Sequence, residues 1–221
     1  MSVLLEAYEK LFAKYGPQQW WPAQTKFEVL VGAVLVQNTA WRNVEKALEN
    51  VREAGVLDPH RLHQLPVEEL AELIRPAGYY RVKAQRLRNL LKLVVEQYDG
   101  DLEAMFNGPP DILREELLAV RGVGPETADA ILLYAGEKPA FVVDTYAQRV
   151  LARHGWIDFD ADYHMIQEHI VGELPSDVRL YNEYHALLVR VGKDHCKTAP
   201  KCEGCPLQEM LPDGGPRNRD W

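Results

Sequence analysis

Leu117-Leu118-Ala119-Val120-Arg121-Gly122-Val123-Gly124-Pro125-Glu126-Thr127-Ala128, followed by Val142-Val143-Asp144-Thr145, is the stretch that decides how this chain folds. Its first part spells two helices joined by a Gly-Val-Gly turn. Gly122 and Gly124 permit positive φ and leave backbone N–H groups uncovered. Pro125 suits the first turn of a helix, where its missing N–H costs nothing. From Thr127 an apolar stripe runs through Ala128, Ile131, Leu132 and Ala135. A helix start of this kind offers free amides and a partial positive charge, which suits a phosphate oxygen without any lysine. Asp144 stands twenty residues beyond Gly124. Phosphate-holding amides with one acid nearby point to chemistry on nucleic acid.

The rest of the composition is consistent with that reading and bounds it. With 221 residues, 47% of them hydrophobic, the chain can bury one large core or two small ones. A net charge of −8 argues against a protein that coats nucleic acid with lysine and arginine. One local exception is Arg75, Arg81, Lys83, Arg86, Arg88 and Lys92, a stretch without an acid. It reads either as a phosphate-binding stripe or as a solvated helix face. No run of 18 apolar residues appears, and the N-terminus lacks a basic leader. The expected setting is therefore cytoplasmic, with no membrane.

Helical periodicity dominates, and no strand pair is expected. Leu5, Tyr8, Leu11 and Phe12 mark an N-terminal helix; Phe27, Leu30, Val31, Val34 and Leu35 form a one-faced stripe on the next. Further helices are expected over 43–54, 67–74, 82–97, 111–119, 144–153, 164–171 and 179–191, punctuated by glycine and proline. The tail from Pro212 to Trp221 reads as loosely ordered.

Residues 117–150 resemble the helix-hairpin-helix motif of the endonuclease III (HhH-GPD) superfamily of DNA glycosylases, with its Gly-x-Gly turn, Thr-Ala helix start and Val-Asp-Thr. Phe27 to Asn43 resembles the early helix of that family with its Gln-x-Thr ending, here Gln37-Asn38-Thr39. Ile74 to Ala84 resembles its I-x-x-x-G-[FY]-[FY]-x-x-K-A segment. Trp20-Trp21-Pro22, and Trp41 after the Gln-Asn-Thr, are similar to the endonuclease III-like 3-methyladenine DNA glycosylases. The resemblance implies an all-α, two-lobed helix-hairpin-helix fold. The expected division is residues 24–136 as one lobe and 1–23 plus 137–221 as the other, with the active site between them.

It further implies a DNA N-glycosylase of base excision repair, acting as a monomer on double-stranded DNA with a damaged base. Asp144 would be the catalytic carboxylate, and it could cap its helix at the same time. Trp20, Trp21 and Trp41 would sandwich the flipped base. Gln37 would fill the gap the base leaves, and Asn38, Arg121, Gly122, Val123, Gly124, Glu126, Thr127 and Lys83 would contact DNA. Bifunctional relatives carry a lysine where this chain has Glu126, so a monofunctional enzyme without AP lyase activity is implied. The early helix reads Gly32-Ala33-Val34 where adenine glycosylases carry a glutamate, which leaves alkylated bases as the leading substrates. Mismatched uracil or thymine and oxidised pyrimidines are the alternatives, and a non-catalytic DNA-binding protein is the reading from another class.

Cys196, Cys202 and Cys205 resemble the family's [4Fe-4S] loop. That loop runs Cys-x6-Cys-x2-Cys-x5-Cys, whereas this chain reads Cys-x5-Cys-x2-Cys-x5-Leu211. A cluster completed by His195 or Asp213, a three-cysteine zinc site, and packing without metal all stay open.

Overall fold

A computed structural model describes residues 2–218 of the chain. Among them the structure is helical throughout, without a strand: α1 (Val3–Tyr15), α2 (Lys26–Leu35), α3 (Trp41–Glu53), α4 (Pro59–Gln64), α5 (Val67–Leu73), α6 (Tyr80–Tyr98), α7 (Leu102–Asn107), α8 (Pro110–Ala119), α9 (Pro125–Tyr134), α10 (Thr145–Arg153), α11 (Tyr163–Glu173) and α12 (Val178–Asp194). The six-residue α4 and α7 escape the periodicity argument, because a hydrophobic stripe needs more than two turns to declare itself. Short polar side chains start many of the helices. Ser2, Thr25, Asp58, Asp101, Asp144, Asp162 and Asp177 each accept a hydrogen bond from an N–H in the first turn that follows. Pro110 and Pro125 open α8 and α9 instead.

The chain divides into two compact units. The continuous one runs from Trp21 to Lys138 and is built around α2, which packs against α3, α6 and α9. The one-faced stripe expected of α2 is too narrow: every residue from Phe27 to Leu35 is buried. A helix enclosed by three others has no outer face to keep polar. Its one buried acid, Glu28, is held by Arg52 at 2.8 Å and accepts from the Gln24 N–H. Asp129 of α9 is fully buried and held by two hydrogen bonds from Arg114 of α8. These matched contacts meet the condition under which a carboxylate tolerates burial.

The other unit is discontinuous. It joins residues 2–20 with 139–218, packing α12 against α10 and α1. Its core includes Phe141, Tyr181 and Tyr184, whose rings meet edge to face. The tail is less loose than its composition suggests. The Arg217 N–H donates to the Arg153 carbonyl at 2.9 Å, and the Arg217 side chain crosses so close to Gly155 that a Cβ there would lie 2.8 Å from its Nε. Residues 219–221 of that expected tail lie outside the described residues. No helix of the described residues is long and apolar enough to cross a membrane.

Candidate nucleic-acid interface and active site

In the continuous unit the turn between α8 and α9 takes the expected course. Gly122 adopts φ +102°, and a Cβ on it would sit 2.3 Å from Arg86 Cγ of α6, so glycine is required twice over. Gly124 differs from expectation: at φ −102° it is an extended residue at the head of α9, with open space around it. Arg121, Gly124 and Glu126 face solvent, and the first turn of α9 presents N–H groups that the helix itself does not use. The side chains of Val123 and Thr127 point inward and are buried. What they offer a phosphate is backbone, in keeping with the expected use of amides at this turn.

Gln37 is engaged with this turn. Its Nε2 donates to the Gly122 carbonyl at 3.2 Å and to Thr127 Oγ1 at 3.0 Å, while its Oε1 accepts from Arg86 at 2.5 Å. In this state it ties the turn after α2 to the hairpin, so serving as a gap-filler requires these bonds to break. Its neighbour Asn38 is exposed and left-handed, at φ +54°. Asn89 of α6 adds a brace to the hairpin by donating to the Arg121 carbonyl.

Lys83 is a correction. It is 1% exposed, and its ammonium donates to the carbonyls of Leu35 and Ala77 at 2.9 and 2.7 Å. Burial, with Arg86 nearby, brings its pKa down to about 8. It cannot touch DNA from there; it fastens the chain just before two turns, one carrying Asn38 and the other Tyr79. The basic stripe divides, with Arg86 and Arg88 engaged internally and Arg75, Arg81 and Lys92 left exposed. Arg86 holds Gln37, Arg88 donates to the Leu65 carbonyl, Arg75 pairs with Glu72 and Lys92 with Glu96. Tyr79 is the residue that sequence reasoning passed over: it is 76% exposed and left-handed at φ +45°. The available signal was a bulky aromatic directly after a turn glycine.

Of the three tryptophans, Trp21 and Trp41 belong to the continuous unit. The Trp21 ring centre lies 5.0 Å from that of Trp41, edge to face, and 4.9 Å from that of Tyr134, tilted, a ring the sequence did not flag. These two tryptophans lie over Gly32, where a Cβ would come within 3.3 Å of Trp41. The Trp41 indole N–H is buried without an acceptor among the described residues. Trp20 belongs to the discontinuous unit, edge-on to His185 with Lys193 above its ring.

Asp144 also lies in that unit, at the head of α10. Its Oδ1 accepts from the Ala147 N–H at 2.8 Å, and Oδ2 faces His185 Nε2 at 3.7 Å. The carboxylate is partly open, at 15% side-chain exposure. A carboxylate held through one oxygen and open at the other can steady a developing cation or take a proton from water.

Cys196, Cys202 and Cys205 line one small cavity of about 20 Å³ together with Arg153, His154, His195 and Leu211. Burial pushes the thiols of Cys202 and Cys205 up. Arg153 donates to Cys196 Sγ at 3.3 Å and to the carbonyls of Lys197 and Thr198. His195 Nδ1 lies 3.0 Å from the Lys201 carbonyl, and Leu211 stands where a fourth cysteine would be needed. No group of three or more His, Cys, Asp or Glu among the described residues is placed to hold a metal. As arranged, the residues do not fit a four-ligand cluster.

Residues 31–175 match the profile of the HhH-GPD superfamily base excision DNA repair proteins. A Methanocaldococcus jannaschii protein provisionally named a DNA repair glycosylase, MJ1434, is 46% identical over 95% of this chain and 96% of its own length. Among solved structures, an H. pylori 3-methyladenine DNA glycosylase (MagIII) bound to 1,N6-ethenoadenine is 30% identical, with a TM-score of 0.75, covering 86% of this chain and 97% of that one. A non-covalent endonuclease III–DNA complex is 26% identical, with a TM-score of 0.81, covering 97% of each chain.

Proposed function

The chain belongs to the HhH-GPD superfamily of base excision DNA repair proteins, a DNA glycosylase by that membership, and from there we propose that it is a monofunctional enzyme for alkylated bases. Double-stranded DNA bearing the lesion is the partner, gripped by the α8–α9 hairpin. What carries the reading is Asp144, capped through one oxygen with the other facing His185, while the hairpin, in the other unit, has an exposed Glu126. A carboxylate there offers no amine to attack C1′, so hydrolysis rather than Schiff-base formation follows. Asp144 stabilises the positive charge that develops on the sugar and directs the attacking water. Trp21, Trp41 and Tyr134 supply electron-rich faces suited to a cationic base such as 3-methyladenine. The likeness to the H. pylori enzyme supports the same substrate class.

Base release from duplexes carrying 3-methyladenine, mismatched uracil or thymine, or oxidised pyrimidines tests this directly. Wild type should release the alkylated base fastest, with Asp144→Asn slower by about 10²–10⁴-fold. Borohydride should trap no protein–DNA adduct. Binding to every duplex without release from any would leave a DNA-binding protein and no enzyme.

A further inference from the structure

We infer that His185 is a positioning residue for Asp144: it faces the open oxygen of that carboxylate and receives the proton that hydrolysis of a cationic nucleoside leaves there. The inference rests on the proposed role of Asp144. Oδ1 is committed to the Ala147 N–H, so Oδ2 is the oxygen left for chemistry, and His185 Nε2 lies 3.7 Å from it. That distance is beyond a hydrogen bond and within ion-pair range once the ring is charged. Packing of α10 against α12 sets the separation.

The imidazole is 4% exposed, edge-on to Trp20. Among the charged groups that act on it are Asp144 at the head of α10, and Lys193 on its own helix, whose ammonium sits over the rings of Trp20 and Tyr146. α1 meets α12 through Tyr8 against Tyr184 and Tyr15 beneath Arg190. Burial is the strongest influence and lowers the pKa of His185; Asp144 opposes it and Lys193 adds to it. The ring therefore favours its neutral form at neutral pH.

The reaction supplies a proton. In a cationic alkylated nucleoside the C1′–N bond breaks with its electron pair going to the base, which leaves neutral. Water oxygen bonds to C1′ and one O–H bond breaks. The surplus proton passes to Asp144 Oδ2 and then, once the pair closes from 3.7 Å to hydrogen-bond distance, to His185 Nε2. The carboxylate regains its negative charge beside an imidazolium. A base that is neutral before cleavage carries this proton away itself, so the demand on His185 is particular to cationic lesions.

Two measurements on the full chain test the inference. NMR titration of His185 in wild type and Asp144→Asn reads the coupling without any activity: removing the carboxylate should move the midpoint lower still. Single-turnover release of 3-methyladenine against pH reads the function. His185→Gln should be slower by about tenfold or more at neutral pH and lose the acid limb that tracks the NMR midpoint. An unmoved midpoint in Asp144→Asn, or a wild-type rate and acid limb in a folded His185→Gln, overturns it. If Asp144→Asn still releases base while the midpoint shifts, the catalytic reading of Asp144 fails instead. Should His185→Gln not fold, the titration alone decides.

Discussion

Both units match buried ions to partners, Arg153 of the discontinuous unit meeting the carbonyls of Lys197 and Thr198, but among the described residues the discontinuous unit also buries histidines and the continuous one does not. The continuous unit matches each buried ion to a partner at hydrogen-bond distance: Glu28 with Arg52, Asp129 with Arg114, Lys83 with two carbonyls. The discontinuous unit buries histidines that resist protonation. His185 stands 3.7 Å from Asp144, and His154 is stacked on Trp156 with both ring nitrogens against carbonyls. Closely matched charges hold a shape, and the continuous unit carries the hairpin whose amides must be in register with phosphates. A titratable pair at longer range can change its protonation state, and that unit carries Asp144.

The largest expected effect that could break this contrast is in the continuous unit. Arg114→Ala removes the bidentate partner of a carboxylate that is 0% exposed and should destabilise the fold by about 3 kcal/mol or more. Urea denaturation measures it, and a loss below about 0.5 kcal/mol, the scale of an ordinary surface change, would mean the pairing is incidental. Gly122→Ala comes next. A left-handed alanine driven into Arg86 should cost about 1–3 kcal/mol and weaken binding to undamaged duplex, measured by fluorescence anisotropy. Unchanged affinity would detach the hairpin from DNA binding.

The smallest effect sharpens the contrast by pH. Burial lowers the pKa of both His154 and His185. Between those lowered values and about 6.5, the unfolded chain binds protons that the folded one refuses, so stability falls as pH drops through that window. Hydrogen exchange should therefore show amides of α10 and α12 losing protection on mild acidification, while those of α2 and α9 hold. Equal loss in both units would erase the distinction.

Much of this was legible because it is local. The Gly-x-Gly turn, Pro125 at a helix start and Asp144 before α10 depend on φ, a missing N–H and a short acceptor side chain, all properties of a few adjacent residues. Other features depended on neighbours far along the chain. Lys83 looked like a surface cation until its amine met the carbonyl of Leu35, 48 residues away. Gln37 looked free until it met the hairpin 85 residues on. The encircled α2 looked one-faced because a stripe shows where apolar residues are, whereas the number of helices around them is a tertiary fact.

The sequence by itself determined an all-helical chain, the hairpin, the carboxylate and the absence of a lysine at Glu126, since periodicity, turn chemistry and residue identity are written in order along it. Only the tertiary structure decided which of those groups are free to act. It withdrew Lys83, engaged Gln37, and set His185 against Asp144. Burial and hydrogen bonding between distant segments choose whether a charge meets solvent or a partner, and spacing along the chain carries no record of that choice.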